Sequence, residues 1–281
     1  MQIYRFRAMV SILLAACLLT ACGAQAASSQ PSPSGASLSE VSADSSAPPA
    51  ASLEAADPAA EDQADAPLDL LPGLDVSALR DTMPEEDYAA FAAYLPVLRG
   101  EETFHWAAGP YRGYPDYGWE TREVTMVAFH DTLWEGNEDR PDRTDTLELD
   151  RLAVQDIDGD GAAELILLFR DLDYNYLVLH REKEAVYGTD FSVRWFEGLQ
   201  KNGVYIGSGG AGDSTYYRMT FQNGRFEQEE LAHRVEWADG CTCTLGGETV
   251  PEAVFEAWYA ENMAGEVTWY APGGDLIPEN Q

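Results

Sequence analysis

The chain has 281 residues, of which 49 are acidic and only 17 are Lys or Arg, giving a formal charge of −32 at neutral pH. Such a field repels polyanions and so excludes nucleic acid and anionic lipid heads as electrostatic partners. Hydrophobic residues make up 45% of the chain and aromatics 11%, enough for a sizeable core. The acids are then read as bound-cation ligands, a surface for a basic partner, or simple solubility.

At the N-terminus, Arg5 and Arg7 precede an apolar run from Ala8 to Leu19. This is a signal-peptide pattern, too short for a comfortable membrane span. Leu19-Thr20-Ala21-Cys22 resembles the lipobox of bacterial lipoproteins, an aliphatic residue, two small ones and a cysteine. The resemblance implies removal of residues 1–21, lipidation of Cys22, and an extracytoplasmic protein anchored to the bacterial cell membrane. Ordinary secretion, with cleavage near Ala24 to Ala27, is the alternative. Two or more acyl chains anchor stably where one does not. Residues 22–66 follow, rich in Ala, Ser, Pro, Asp and Glu and without an aromatic residue, Lys or Arg. Such a stretch cannot bury enough apolar surface to offset chain entropy. It reads as a disordered linker, roughly 35 Å end to end as a flexible coil, holding a domain away from the bilayer.

Residues 67–281 form the domain. Thr82-Met83-Pro84-Glu85 and Thr249-Val250-Pro251-Glu252 both have the form of a capping box with proline in the first turn. They predict helices near 84–98 and 251–263, with Pro96 ending or bending the first. Between them the pattern is strand: 147–154, 165–169, 174–180, 185–187, 193–196, 204–207, 215–221 and 225–237. Gln222-Asn223-Gly224 supplies a strong hairpin signal. Short strands joined by tight turns predict an α+β fold, an antiparallel β-meander sheet with N- and C-terminal helices packed on it.

Several motifs carry candidate chemistry. Gly207-Ser208-Gly209-Gly210-Ala211-Gly212 matches G-x-G-x-x-G, but strand-like residues follow it where a dinucleotide site needs a helix. It reads as a loop between strands. The histidines, His105, His130, His180 and His233, have no metal-ligand or catalytic spacing. Cys17 leaves with the signal peptide and Cys22 carries lipid, so Cys241 and Cys243 remain. On a strand their alpha carbons lie ~6.6 Å apart on one face, the long limit for a bridge. A strained disulfide, two thiols, and a redox or metal role all stay open. Residues 105–119 are rich in Gly, Pro and rings. Trp106, Tyr111, Tyr114, Tyr117 and Trp119 either cover the core or present a surface for a glycan or protein ligand.

The densest signal is Gln155-Asp156-Ile157-Asp158-Gly159-Asp160-Gly161-Ala162-Ala163-Glu164-Leu165. With Asp156 as position 1, acids fall at positions 1, 3, 5 and 9, and Gly161 permits a sharp turn. Hard Ca²⁺ takes several oxygens, and alternate residues of a curled loop aim theirs inward. An EF-hand also needs a bidentate Glu at position 12, where Leu167 stands, and helical flanks where strands are predicted. The segment 152–165 instead resembles the calcium hairpin of FG-GAP and VCBS-type repeats. That resemblance implies Ca²⁺ held by Asp156, Asp158, Asp160, Glu164 and the Ala162 carbonyl. It covers one repeat, so the propeller fold of the family is not carried over. The architecture as a whole resembles clostridial-type lipoproteins.

The functional expectation is a non-catalytic, calcium-binding surface module, reached through its lipid anchor and serving as a binding or structural element. The alternative is a hydrolase acting on cell wall or glycan, with the aromatic stretch as its substrate platform. A partner of a transporter or sensor is a third possibility.

Overall fold

The strand Glu164–Phe169 is buried at every position, so it must be covered on both faces. Its side chains alternate as the pleat requires. Leu165, Leu167 and Phe169 enter one buried cluster, and Ile166 and Leu168 enter another. This strand is an inner strand of an eight-stranded sheet, and the rest of the fold follows from what covers each face. The computed structural model describes residues 68–107, 121–134, 143–170, 175–238 and 240–278. They belong to one compact unit, within Ala55–Gln281. The signal peptide, Cys22 and the linker of residues 22–66 lie outside the described residues.

In chain order the helices are α1 (Val76–Thr82), α2 (Glu85–Ala92), α3 (Leu95–Leu98), α4 (Met126–Leu133) and α5 (Glu252–Asn262). The strands of the first sheet are β1 (Phe104–Ala107), β2 (Arg122–Val124), β3 (Leu149–Gln155), β4 (Glu164–Phe169), β5 (Asn175–Glu182), β6 (Ala185–Ser192), β12 (Trp269–Tyr270) and β13 (Leu276–Ile277). They run in the order β13-β12-β3-β4-β5-β6-β1-β2. The second sheet holds β7 (Val204–Gly210), β8 (Asp213–Gln222), β9 (Arg225–Trp237), β10 (Gly240–Leu245) and β11 (Glu248–Val250), in the order β11-β10-β9-β8-β7.

The α+β class is as the sequence predicts, but the strands form two sheets where one was expected. Runs 147–192 and 204–250 are each an antiparallel meander, and a short 3₁₀ turn, Val193–Trp195, sits where a strand was expected between them. One pair is parallel, β1 with β6. Leu79, Phe91 and Leu98 share a buried cluster with Leu165, Leu167 and Leu177 on one face of the first sheet. On its other face, Ile166, Val178 and Phe196 share a cluster with Tyr205 and Met219 of the second sheet. Phe255 of α5 is clustered with Tyr216, Ala232 and Cys243 of the second sheet.

Local chemistry explains the ends of the elements. The helices do not start with the expected capping boxes. Pro84 and Pro251 are themselves the N-caps, without a side-chain cap bond. Thr82 closes α1 instead and donates to the Ala78 carbonyl, while Thr249 lies in β11. Asp75 and Thr125 cap α1 and α4 by accepting from Ala78 and Ala128 N–H. The first predicted helix is broken after Ala92 and resumes at Leu95, with Pro96 in its first turn. Asn223 and Gly224 both take positive φ, 54° and 77°, as a tight hairpin turn demands. Gly207 lies within β7, where a Cβ would meet the Tyr217 ring at 2.8 Å. The glycine-rich run is thus mostly strand, not loop, and no helix follows it. Among the described residues, no helix is long and apolar enough to cross a membrane.

Candidate metal centre

The pairing of Gln155 with Glu164 closes the β3–β4 hairpin, and residues 156–163 form its turn. Four backbone N–H groups in the turn find acceptors on the turn's own aspartates. Asp156 accepts from Gly159 at 2.7 Å and Gly161 at 3.0 Å. Asp158 Oδ1 accepts from Asp160 N–H at 3.1 Å, and Asp160 Oδ1 from Ala162 N–H at 2.7 Å. Gly159 and Gly161 take φ of 80° and 93°, which a side chain disfavours. Each carboxylate oxygen keeps a further lone pair after its backbone bond.

Glu164 is the inner wall of the turn and is fully buried. Its Oε2 accepts from Ile157 N–H at 2.8 Å, and its Oε1 meets His180 Nδ1 at 2.6 Å. Burial pushes the Glu164 carboxyl up to about 6, against the opposing pull of the His180 and Ile157 contacts. His180, on β5, is itself 1% exposed. Burial works against its charged form, but Glu164 together with the charges of Asp160 and Asp158 outweighs this and raises its pKa. Its Nε2 faces Asp160 Oδ2 at 3.8 Å. Its ring stacks on Phe221 with centroids 3.9 Å apart.

The turn is held by both sheets. Asp158 Oδ2 accepts from Phe221 N–H of β8 at 2.9 Å. Ile157 enters the cluster shared between the sheets. Gly203 lies against it so closely that a Cβ would sit 1.8 Å from the Ile157 carbonyl oxygen. From the helical side, Tyr94 Oη donates to the Ala163 carbonyl at 2.9 Å. Burial raises the Tyr94 pKa, so it stays a donor. Arg181 stacks on the Tyr94 ring and forks onto both carboxylate oxygens of Glu102, at 3.0 and 2.7 Å.

Asp158, Asp160, Glu164 and His180 each offer one ligand atom, all within 4.8 Å of one another. This group can hold a metal ion. Three of the sequence-predicted ligands are brought together in it. Asp156 is outside the group and braces the turn through the two glycine N–H groups. Ala162 gives its N–H to Asp160. His180 was not predicted as part of the site. Its signal was the β4–β5 register, in which Leu165 pairs with Leu179, so that His180 falls beside Glu164.

Trp106 is a core residue, not part of an exposed platform. It is 4% exposed, donates to Asp190 Oδ1 at 3.0 Å and packs edge-on against Phe129. Tyr111, Tyr114, Tyr117 and Trp119 lie outside the described residues. The other histidines stand apart from the acids of the turn: His105 against Tyr187, His130 in α4, and His233 against Asp213.

Fold and site together define an α+β chain with a metal-competent turn at the junction of two sheets. No family model, curated protein or solved structure matches the chain.

Proposed function

We propose that this is a lipid-anchored extracytoplasmic protein whose α+β domain is stapled by calcium and serves as a non-catalytic binding or structural surface module. The observation that carries the reading is the position of the acidic turn. One carboxylate, Asp158, belongs to the cluster that can hold an ion and also accepts from the second sheet. An ion placed there ties the β3–β4 hairpin to β8.

Calcium suits the donor set best. Three carboxylates supply hard oxygens, which suit Mg, Ca or Mn. The resemblance to the calcium hairpin adds Asp156 and the Ala162 carbonyl. His180 then acts behind Glu164, fixing its orientation as outer contacts of ligating groups do. Unit charges ~4 Å apart repel by about 4 kcal/mol at an effective dielectric of 20, so a cation relieves the turn. Extracellular calcium modules bind at ~10⁻⁴ to 10⁻³ M. At about millimolar calcium the linkage stabilisation is roughly 0.4 to 1.4 kcal/mol. That is a structural staple, about half to nine-tenths occupied at that concentration.

Anchoring rests on the lipobox-like Leu19-Thr20-Ala21-Cys22. Metabolic labelling with a fatty acid tests it: Cys22→Ala should abolish incorporation, and an equally labelled variant overturns it. The burial of Trp106 removes one ring from the platform on which a wall- or glycan-directed hydrolase would rely. The calcium reading is tested by thermal melts of wild type and Asp158→Ala, each with calcium and with chelator. Wild type should melt higher with calcium, and the variant should show no difference. Equal melting in all four cases defeats it.

A further inference from the structure

β9 has unequal neighbours. β8 pairs with it from Arg225 to Val235, whereas β10 covers only Ala232 to Trp237. The cover stops where Gly246 N–H meets the Leu231 carbonyl. Among the described residues, no strand lies along the outer side of Arg225–Glu230.

The register shows which groups that side presents. In an antiparallel pair, residues that exchange backbone bonds alternate with residues whose N–H and C=O point apart. Phe221 gives its N–H to Asp158 at 2.9 Å, and Met219 gives its N–H to the Gly203 carbonyl at 3.4 Å. Both therefore face away from β9. Their partners across the ladder, Phe226 and Gln228, turn their own N–H and C=O away from β8. Neither finds a backbone partner among the described residues.

A groove of about 320 Å³ follows this stretch, lined by Arg225, Phe226, Glu227 and Gln228. It touches both faces of β9 and no described residue of β8, which places it on the open side. Side chains do not fill it from within. Phe226 packs into the cluster between the sheets, and the Gln228 amide donates to Tyr205 Oη.

Charge selects the occupant. Residues Arg225 to Glu230 carry three acids against one base, and Glu227 holds that base at 2.7 Å. Glu229 and Glu230 are exposed. Charged edges discourage pairing of a strand with its own kind, and a second copy would set this acidic row against itself. The chain's own residues 22–66 contain no Lys or Arg, so they offer no complement. An extended cationic segment does.

We propose that the open half of β9 is a strand-addition site for an extended segment of another protein bearing Lys or Arg. The proposal rests on the binding role given to the module above and names the class of its partner. The added strand exchanges main-chain bonds with Phe226 and Gln228, which supply affinity, while its basic side chains meet the glutamates, which supply selectivity.

The test is fluorescence anisotropy of a short labelled peptide of alternating Lys and Thr, titrated with the full-length chain in calcium. The peptide should bind, and its alternating Glu and Thr counterpart should not. Methylation of every backbone amide keeps the charge but removes the donors, and should weaken binding at least about tenfold. Gln228→Pro deletes an outward donor and no bond to β8, and should weaken binding about tenfold. Glu229→Lys combined with Glu230→Lys should weaken it on the same scale. Circular-dichroism melts check that each variant folds, and the charge variant carries the test alone if Gln228→Pro does not. No binding of the Lys peptide, equal binding of its methylated form, or unchanged binding in either folded variant overturns the proposal. Concentration-dependent dimerisation that is lost in Gln228→Pro also overturns it, by giving the edge to a second copy. The calcium melts and Cys22 labelling described above test the module itself, so failure of the peptide to bind is distinguishable from failure of that reading.

Discussion

Gly203→Ala isolates the contact between the second sheet and the acidic turn. Gly203 has φ of 76°, and a Cβ there would lie 1.8 Å from the Ile157 carbonyl oxygen and 2.9 Å from its carbon. Two costs add. The left-handed backbone costs an L-residue about 1–2 kcal/mol. The clash is backbone against Cβ, so no rotamer relieves it, and forced shifts of this kind cost typically about 1–3 kcal/mol. The sum is roughly 2–5 kcal/mol. At about 2–4 °C per kcal/mol for a domain of this size, melting should fall by roughly 4–20 °C. Gly159→Ala is the control, because Gly159 has φ of 80° but nothing within 4 Å of a Cβ. It carries the backbone cost alone, about 1–2 kcal/mol. Circular-dichroism melts of both variants in chelator measure the difference without an ion contribution. If Gly203→Ala loses no more than Gly159→Ala, the close approach of the sheet to Ile157 is refuted.

Three further outcomes are expected. The Glu164 carboxyl is raised from 4.5 to about 6, so the folded chain holds that proton more tightly than the unfolded one. In chelator its contribution to stability falls as pH rises from about 4.5 through 6, and the raised His180 acts in the same sense on passing its own folded pKa. Calcium competes with the proton, so the calcium-induced rise in melting temperature should be larger at about pH 7.5 than at 5.5; an equal or larger rise at the lower pH contradicts the assignment of Glu164. Tyr94→Phe removes the hydrogen bond to the Ala163 carbonyl and should cost about 1 kcal/mol, read from urea midpoints at unchanged slope. Phe255→Ala empties a fully buried site between α5 and the second sheet and should cost about 3–5 kcal/mol; a loss below 1 kcal/mol would mean that α5 does not pack there.

The strand-rich centre was legible because its period is short and its turns are chemically marked. Asn223-Gly224 announces its hairpin, and the apolar run 165–169 announces a strand. Division into two sheets was not legible. Period-2 patterns report which residues are buried, not which layer buries them, and the switch falls at residues 193–203, where a 3₁₀ turn imitates a strand. The short helices α1 and α4 were missed because seven or eight residues carry too little periodicity. The capping phrases misled because Thr82 finds a nearer acceptor at the end of α1. In the acidic turn, the spacing gave Asp158, Asp160 and Glu164. His180 was hidden because its role depends on strand register, sixteen residues further along the chain.

A crystal structure of the chain grown with calcium, phased on anomalous differences, measures the ion where it should lie. One anomalous peak is expected in the turn of residues 156–163, with the carboxylate oxygens of Asp158, Asp160 and Glu164 at about 2.3–2.6 Å and the Phe221 N–H still bonded to Asp158. A turn without a peak at millimolar calcium, or a peak bound away from these three carboxylates, would contradict the calcium staple.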